Sequence, residues 1–309
     1  MKRYLLRLII ILSLMLIYSL KLYSQDYSIV MNKEDSNIKF GGKAAFKVSQ
    51  AYFSKWSSGG QDLVSFIGNL ILGSKYANNT AEWENTLNLV YGNQSLDHKG
   101  FRKTDDGYDF NSKYGFKTKD PRLLITLAFQ FRSQFTKGYI YSDKDIPSLA
   151  SAPFAPAYLI GYLGLSYKPN TGLSIFLSPF TARTTVVANN FLSLQGAYGI
   201  TPGNIFLQSY GANLTISLDT EIFSNFQILS RLDLFSNYKK VSSVVVNWYN
   251  SLNFTINKLL VVSLSTGIIY DESIKWKETQ SINGHDVVIS NRPEVQYKQL
   301  LSVGILYSL

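Results

Sequence analysis

Cysteine is absent from the 309 residues. That removes disulfides, thiolate catalysis, thiolate zinc sites and anchoring through a lipidated N-terminal Cys. Histidine is nearly absent as well: His98 and His285 are too few for a His-rich metal site. No dense Lys/Arg run occurs. The formal charge is +9, and Lys2, Arg3, Arg7 and Lys21 in the N-terminal segment account for four of it, leaving +5 (9 minus 4). So mild and dispersed a charge argues against a nucleic-acid partner. Mean hydropathy near zero argues against a bundle of membrane helices. A hydrophobic share of 46% argues equally against disorder. What is abundant is aromatic: Tyr 21, Phe 19 and Trp 4. Together with plentiful Ser, Thr and Asn, these residues suit strands with one apolar and one polar face.

Residues 1–24 carry an export leader. Met1 to Arg7 holds three positive charges, Leu8 to Leu20 is continuously apolar, and Ser24 offers a small residue at a cleavage point before Gln25. The competing reading is a membrane anchor, but a spanning helix needs roughly 20 apolar residues and this run is shorter. A short segment, 25–37, then leads into a single domain, 38–309.

Within that domain the hydrophobic period is two. Leu123, Ile125, Leu127, Phe129 and Phe131 share one face; Thr126, Ala128, Gln130 and Arg132 share the other. Trp83, Leu87, Leu89 and Tyr91 oppose Glu82, Glu84, Thr86 and Asn88, and Val244, Val246, Trp248, Leu252 and Phe254 oppose Asn247, Tyr249, Ser251, Asn253 and Thr255. This is the signature of strands with distinct faces. The runs often exceed the roughly 9–11 residues of a membrane strand, and aromatics recur near their ends, as interface girdles do. Strands are expected at about 38–54, 62–74, 82–92, 107–118, 122–135, 155–168, 172–188, 207–219, 223–237, 243–256, 259–272 and 296–309. Short Asn-, Asp- and Pro-containing turns alternate with long connections at 93–106, 136–154, 189–206 and 273–295. The pattern predicts an all-β transmembrane antiparallel barrel of about 12 strands, with both termini in the periplasm and long outer loops. Pro179 interrupts 172–188; a split there, with another elsewhere, gives 14. The place of such a barrel is the bacterial outer membrane, with membrane lipid as its first partner and other envelope proteins as further ones. The oligomeric state is not fixed by the sequence.

An ordered set of motifs accompanies this pattern. Trp56-Ser57-Ser58-Gly59-Gly60 comes first, then Trp83 with Tyr91-Gly92, Lys103-Thr104-Asp105-Asp106, and Gln134-Phe135 with Gly138-Tyr139. Ala155-Pro156-Ala157-Tyr158, Gly164-Leu165, Tyr167-Lys168-Pro169, Leu177-Ser178-Pro179, Asn237-Tyr238, Trp248 and Tyr270-Asp271 follow. The set resembles an outer-membrane barrel family found in Bacteroidota, domain of unknown function 3078. The resemblance implies an outer-membrane barrel and no assigned chemistry.

Candidate sites follow from the faces. Lys39, Lys43, Lys47, Glu84, Asp109, Lys113, Lys117, Arg132, Arg231 and Asp233 lie on polar faces and are expected to line a lumen. Charges of both signs in a low-dielectric wall will tend to pair. Trp56, Gly59 and Gly60 mark the first outer hairpin, where the glycines permit a tight turn. Asp105, Asp106 and Asp109 form a carboxylate cluster that could take a hard cation or be a solvated acidic turn; the latter reading is preferred, so no metal site is assigned. His98, near Ser95 and Asp97, and His285, beside Asp286, read as solvated loop histidines rather than as parts of a nucleophilic site. No cofactor and no enzymatic activity are assigned. Two functions compete: a porin-like channel for small polar or anionic solutes, and a non-catalytic subunit or scaffold of an outer-membrane assembly.

Overall fold

The computed structural model describes residues 38–51, 63–96, 100–141, 146–257, 260–272, 274–282 and 285–308. The leader, the 25–37 segment, the Trp56/Gly59/Gly60 motif and His98 lie outside the described residues.

Among the described residues sixteen strands are formed: β1 Ile38–Ala51, β2 Leu63–Ala77, β3 Ala81–Leu96, β4 Phe101–Lys117, β5 Leu123–Ser133, β6 Gly138–Tyr141, β7 Pro147–Ser151 and β8 Ala157–Tyr167, followed by β9 Leu173–Val186, β10 Phe206–Phe223, β11 Phe226–Asn237, β12 Lys240–Thr255, β13 Leu260–Tyr270, β14 Lys275–Ile282, β15 His285–Pro293 and β16 Gln296–Ser308. Twelve of them close into one antiparallel barrel in the order β1-β16-β13-β12-β11-β10-β9-β8-β5-β4-β3-β2. The count is 12, not 14, and Pro179 is the reason. It has no N–H for the ladder, so the register slips by one residue there, between Leu163 and Leu165 on β8 and between Gly211 and Asn213 on β10. The bulge absorbs the proline, and β9 continues as one strand.

At one end the connections are short turns, several of them closed by Asn and Asp side chains. Asn78 Oδ1 accepts from the Thr80 and Ala81 amides at 2.9 and 2.7 Å. Asn170 Oδ1 accepts from Gly172 and Leu173 at 3.0 and 2.8 Å. Asp120 and Asn257 act in the same way on Arg122 and Leu260. The exposed Asp120 carboxyl is held below the usual carboxylate range, first by the hydrogen bonds from the Arg122 guanidinium and then by the Arg122 amide.

The opposite end differs from the sequence reading in one place. The connection expected at 93–106 is largely strand: β3 runs to Leu96 and β4 starts at Phe101, with a bulge after Gly92. The other long connections carry structure of their own. The 134–156 connection holds the β6–β7 hairpin, and 273–295 holds the β14–β15 hairpin that His285 opens. The 187–205 connection holds a single-turn helix, α1 Asn190–Leu194, capped by the Asn189 side chain. The 134–156 and 187–205 connections share a small core of Ala152, Ala155, Val187, Leu192 and Ile200. It forms a folded cap over the β5–β9 side of the barrel. Tyr198 ties the cap together by donating to Ala150 O at 2.7 Å, and burial pushes its phenol up.

The outward faces are apolar and exposed: Phe40 is 70% exposed, Phe180 69% and Leu301 64%. An apolar surface that encircles the whole wall is far beyond what a soluble domain leaves in water.

Candidate functional site: the lumen

Strand alternation and register decide which side chains point inward. Lys43, Lys47, Glu84, Asp105, Arg231 and Tyr249 line a cavity of about 1390 Å³. Lys75 is register partner of Lys39 and Glu84, Glu84 of Lys113, and Lys113 of Ala128, so all five share the inward face. Asp109 is paired with Arg132, and Asp233 lies two residues from Arg231 on the same face. All of the lumen candidates therefore sit on the inner wall, but they do not form one site.

The cavity reaches from the short-turn end, at Asn170, Ser224 and Asn225, to the loop end, at Ile269, Gln296 and Lys298. Most of its wall is β1–β3, β10–β13 and β16, on one side of the cross-section, with Asp105 of β4 and Leu173 and Ser174 of β9 reaching it. On that side Lys39, Lys43 and Lys47 form a ladder along β1. At roughly 3.3 Å per residue the steps are about 13 Å. Lys43 and Lys47 have Ile71 and Ile67 as cross-strand neighbours, apolar surface along which their stems can lie while the ammonium groups stay in the lumen. Among the described residues no carboxylate lies within ion-pair distance of these three lysines.

Elsewhere the charges pair. At the short-turn mouth Lys75 Nζ lies 2.8 Å from Glu84 and 3.6 Å from Glu82, while Lys168 reaches in from the β8–β9 turn to both, at 2.5 Å from Glu82 and 3.1 Å from Glu84. Lys117 donates to Asn78 O at 2.7 Å, and Lys113 lies over the Phe176 ring, 4.6 Å from its centre. At the loop end two ion pairs cross the barrel between strands four places apart. Lys298 on β16 meets Asp105 on β4, and Arg183 on β9 meets Asp271 after β13 at 3.6 Å.

The β5–β9 side is filled. Gln130 donates to Asp109 at 2.9 and 3.0 Å and accepts from the Tyr162 hydroxyl at 2.9 Å. Arg231 grips Asp233 at 2.8 and 3.2 Å, and Thr215 donates to the same carboxylate at 2.6 Å. The guanidinium carbons of Arg132 and Arg183 both lie 4.7 Å from the centre of the Tyr158 ring.

The acidic cluster does not converge. Asp105 and Asp109 face the lumen, whereas Asp106 faces away and accepts from the Phe135 and Thr136 amides at 2.8 Å each, the Thr136 hydroxyl at 2.7 Å and Lys103 at 2.9 Å. It anchors the 134–137 turn. No group of three or more His, Asp or Glu placed to hold a metal occurs among the described residues.

Lys75, Lys168, Arg183, Lys298 and Asp271 are lumen residues that the sequence reading did not single out. Arg183 follows the Pro179 bulge, which shifts the inward parity by one; Lys168 and Asp271 come from connections rather than strands. Lys75 and Lys298 lie on faces where inward Ile67, Ile71, Leu300 and Leu306 blur the polar pattern.

Residues 48–139 match the family model described as "Protein of unknown function (DUF3078)". No curated protein matches the chain. Among solved structures, the COG4313 outer membrane channel from Pseudomonas putida F1 aligns with a TM-score of 0.41 and 11% identity, over 93% of this chain and 100% of that one. The NanC porin aligns at 0.36 and 10% identity, over 86% and 98%. The KdgM porin aligns at 0.31 and 10% identity, over 87% and 99%.

Proposed function

We propose that the chain is an outer-membrane, porin-like channel that passes small polar solutes and favours anions. The observation that carries this reading is the lumen cavity with its lysine ladder, which no carboxylate of the described residues pairs. A wall of low dielectric focuses the field of Lys39, Lys43 and Lys47 into the cavity and raises the local concentration of anions. The encircling apolar face supports a membrane setting, because only a closed barrel satisfies its backbone groups in lipid without helices. Strands of 11 to 18 residues extend past the roughly 9–11 needed to cross. The test is flux into proteoliposomes of neutral and anionic solutes of equal size. The anion should enter faster, and the double variant Lys43→Gln/Lys47→Gln should remove the difference. Equal rates in the unmodified protein would end the anion preference; no flux at all would end the channel.

One observation favours a second reading, a subunit of an envelope assembly. Ser230, Asn250, Thr266 and Gln299 are successive cross-strand partners on the outward face of β11, β12, β13 and β16. Ser230 donates to Asn250 at 2.7 Å, and Asn250 to Thr266 at 3.3 Å. A polar row inside an apolar belt is costly against lipid and suits a protein neighbour. Mild detergent extraction followed by native-mass analysis decides: a partner retained by the unmodified protein and lost in Asn250→Leu supports the subunit reading, and a lone chain opposes it.

A further inference from the structure

The filled side of the barrel holds two guanidinium groups whose Nε atoms have no hydrogen-bond partner among the described residues. Arg132 projects inward from the last turns of the β5 ladder, and Arg183 from β9, just beneath the loop cap. Their contacts to described residues are the Tyr158 ring for both, the Phe235 ring at 5.8 Å and the Asp271 carboxylate at 3.6 Å for Arg183. Among the described residues no acceptor is within hydrogen-bond reach of either Nε, and both are buried. Each guanidinium carries five N–H donors. Of the neighbouring carboxylates Asp271 pairs with Arg183, while Asp233 is engaged by Arg231 and Thr215 and Asp109 by Gln130 and Asn111. A buried N–H left without an acceptor is costly, and both Nε atoms belong to arginines that line one small cavity, so the geometry calls for an acceptor in it.

The space for one exists. A cavity of about 30 Å³ adjoins Arg132 and Arg183, walled by Ile160 and Phe235 on its apolar sides and by Gln130 and Tyr162 on polar ones. One water-sized guest needs roughly 10–15 Å³, so the cavity admits a halide-sized ion and excludes an organic solute. Asp233 also borders it, but its oxygens already accept from Arg231 and Thr215.

We propose that Arg132 and Arg183 form an internal binding site for a single small monovalent anion of chloride size. The ion supplies an acceptor for the two Nε donors, and it links β5 to β9. The site is separate from the lysine ladder and stands whether or not the lumen conducts.

The experiment is a crystal structure of the full-length, detergent-purified protein grown in sodium bromide, with anomalous data at the bromine edge. A bromide peak within hydrogen-bond distance of both Arg132 and Arg183 is expected. The absence of that peak, with water or nothing between the guanidinium groups, would overturn the proposal, even if bromide decorates surface lysines. A second measurement does not depend on crystals. Melting in detergent should rise when sodium gluconate is exchanged for sodium chloride at constant ionic strength, and Arg183→Gln should lose the rise. Should that variant fail to fold, Arg132→Gln serves in its place, and a chloride-independent melt of the unmodified protein refutes the site alone.

Discussion

Alanine at position 164 would place a Cβ 2.0 Å from the Leu177 carbonyl oxygen, 2.6 Å from Ser178 Cα and 2.8 Å from the Leu177 carbonyl carbon. All three are backbone atoms, so no side chain can swing aside. The neighbouring segment is also held in place: Ser178 Oγ lies 3.0 Å from both Leu163 O and Phe180 O, and Thr181 donates to it at 2.9 Å. Relief requires β9 to move by more than an ångström against a bulge that Pro179 makes obligatory. Overpacking of well-ordered cores costs about 1–3 kcal/mol, and a backbone obstacle belongs at the top of that range, so Gly164→Ala should cost about 3 kcal/mol. Gly161, three residues earlier on the same strand, has nothing within 4 Å of its would-be Cβ. Gly161→Ala should therefore be within about 0.5 kcal/mol of neutral, as surface changes are. Urea unfolding in lipid vesicles, followed by tryptophan fluorescence, compares the two. Equal midpoints for the two variants would refute the placement of the bulge and the reason given for twelve strands.

Removing the strut across the loop-end mouth should widen the path: Lys298→Ala is expected to raise single-channel conductance, and an unchanged value would show that the Lys298–Asp105 pair does not lie on the route. Asp106→Ala strips four donors of their acceptor, so limited proteolysis should cut the 134–156 connection faster, and unchanged cleavage would contradict the anchor. At the short-turn end the Asp120 carboxyl titrates lower in the folded protein than in the unfolded chain. Its contribution to the turn is thus present above the ordinary carboxylate value of about 3.9 and is lost as pH falls through the folded value. Amide exchange at Arg122 should quicken only on acidification below about 4, and Asp120→Asn should abolish that pH dependence.

Much of the barrel was legible because strand physics writes itself locally. Leu123, Ile125, Leu127, Phe129 and Phe131 recur at every second position, and Asn78, Asp120, Asn170 and Asn257 close their turns through their own side chains. The strand extensions around Gly92–Arg102 were not legible, because polar residues there occupy both faces above the apolar belt and the period fades. Parity beyond Pro179 was not legible either, because the sequence marks the missing donor but not whether the chain breaks or bulges. The lumen faces could be read, yet their division into an open lysine side and a filled arginine–tyrosine side could not. That division depends on which strands stand opposite each other after closure, which no local pattern carries.

The most direct test of a conducting, anion-preferring lumen is the reversal potential of single channels in a planar bilayer under a potassium chloride gradient. The expected result is discrete conductance steps with a reversal potential on the chloride side, moved toward the potassium side by Lys43→Glu/Lys47→Glu. Silence from folded protein, or a cation-selective potential that the substitutions leave in place, would contradict it.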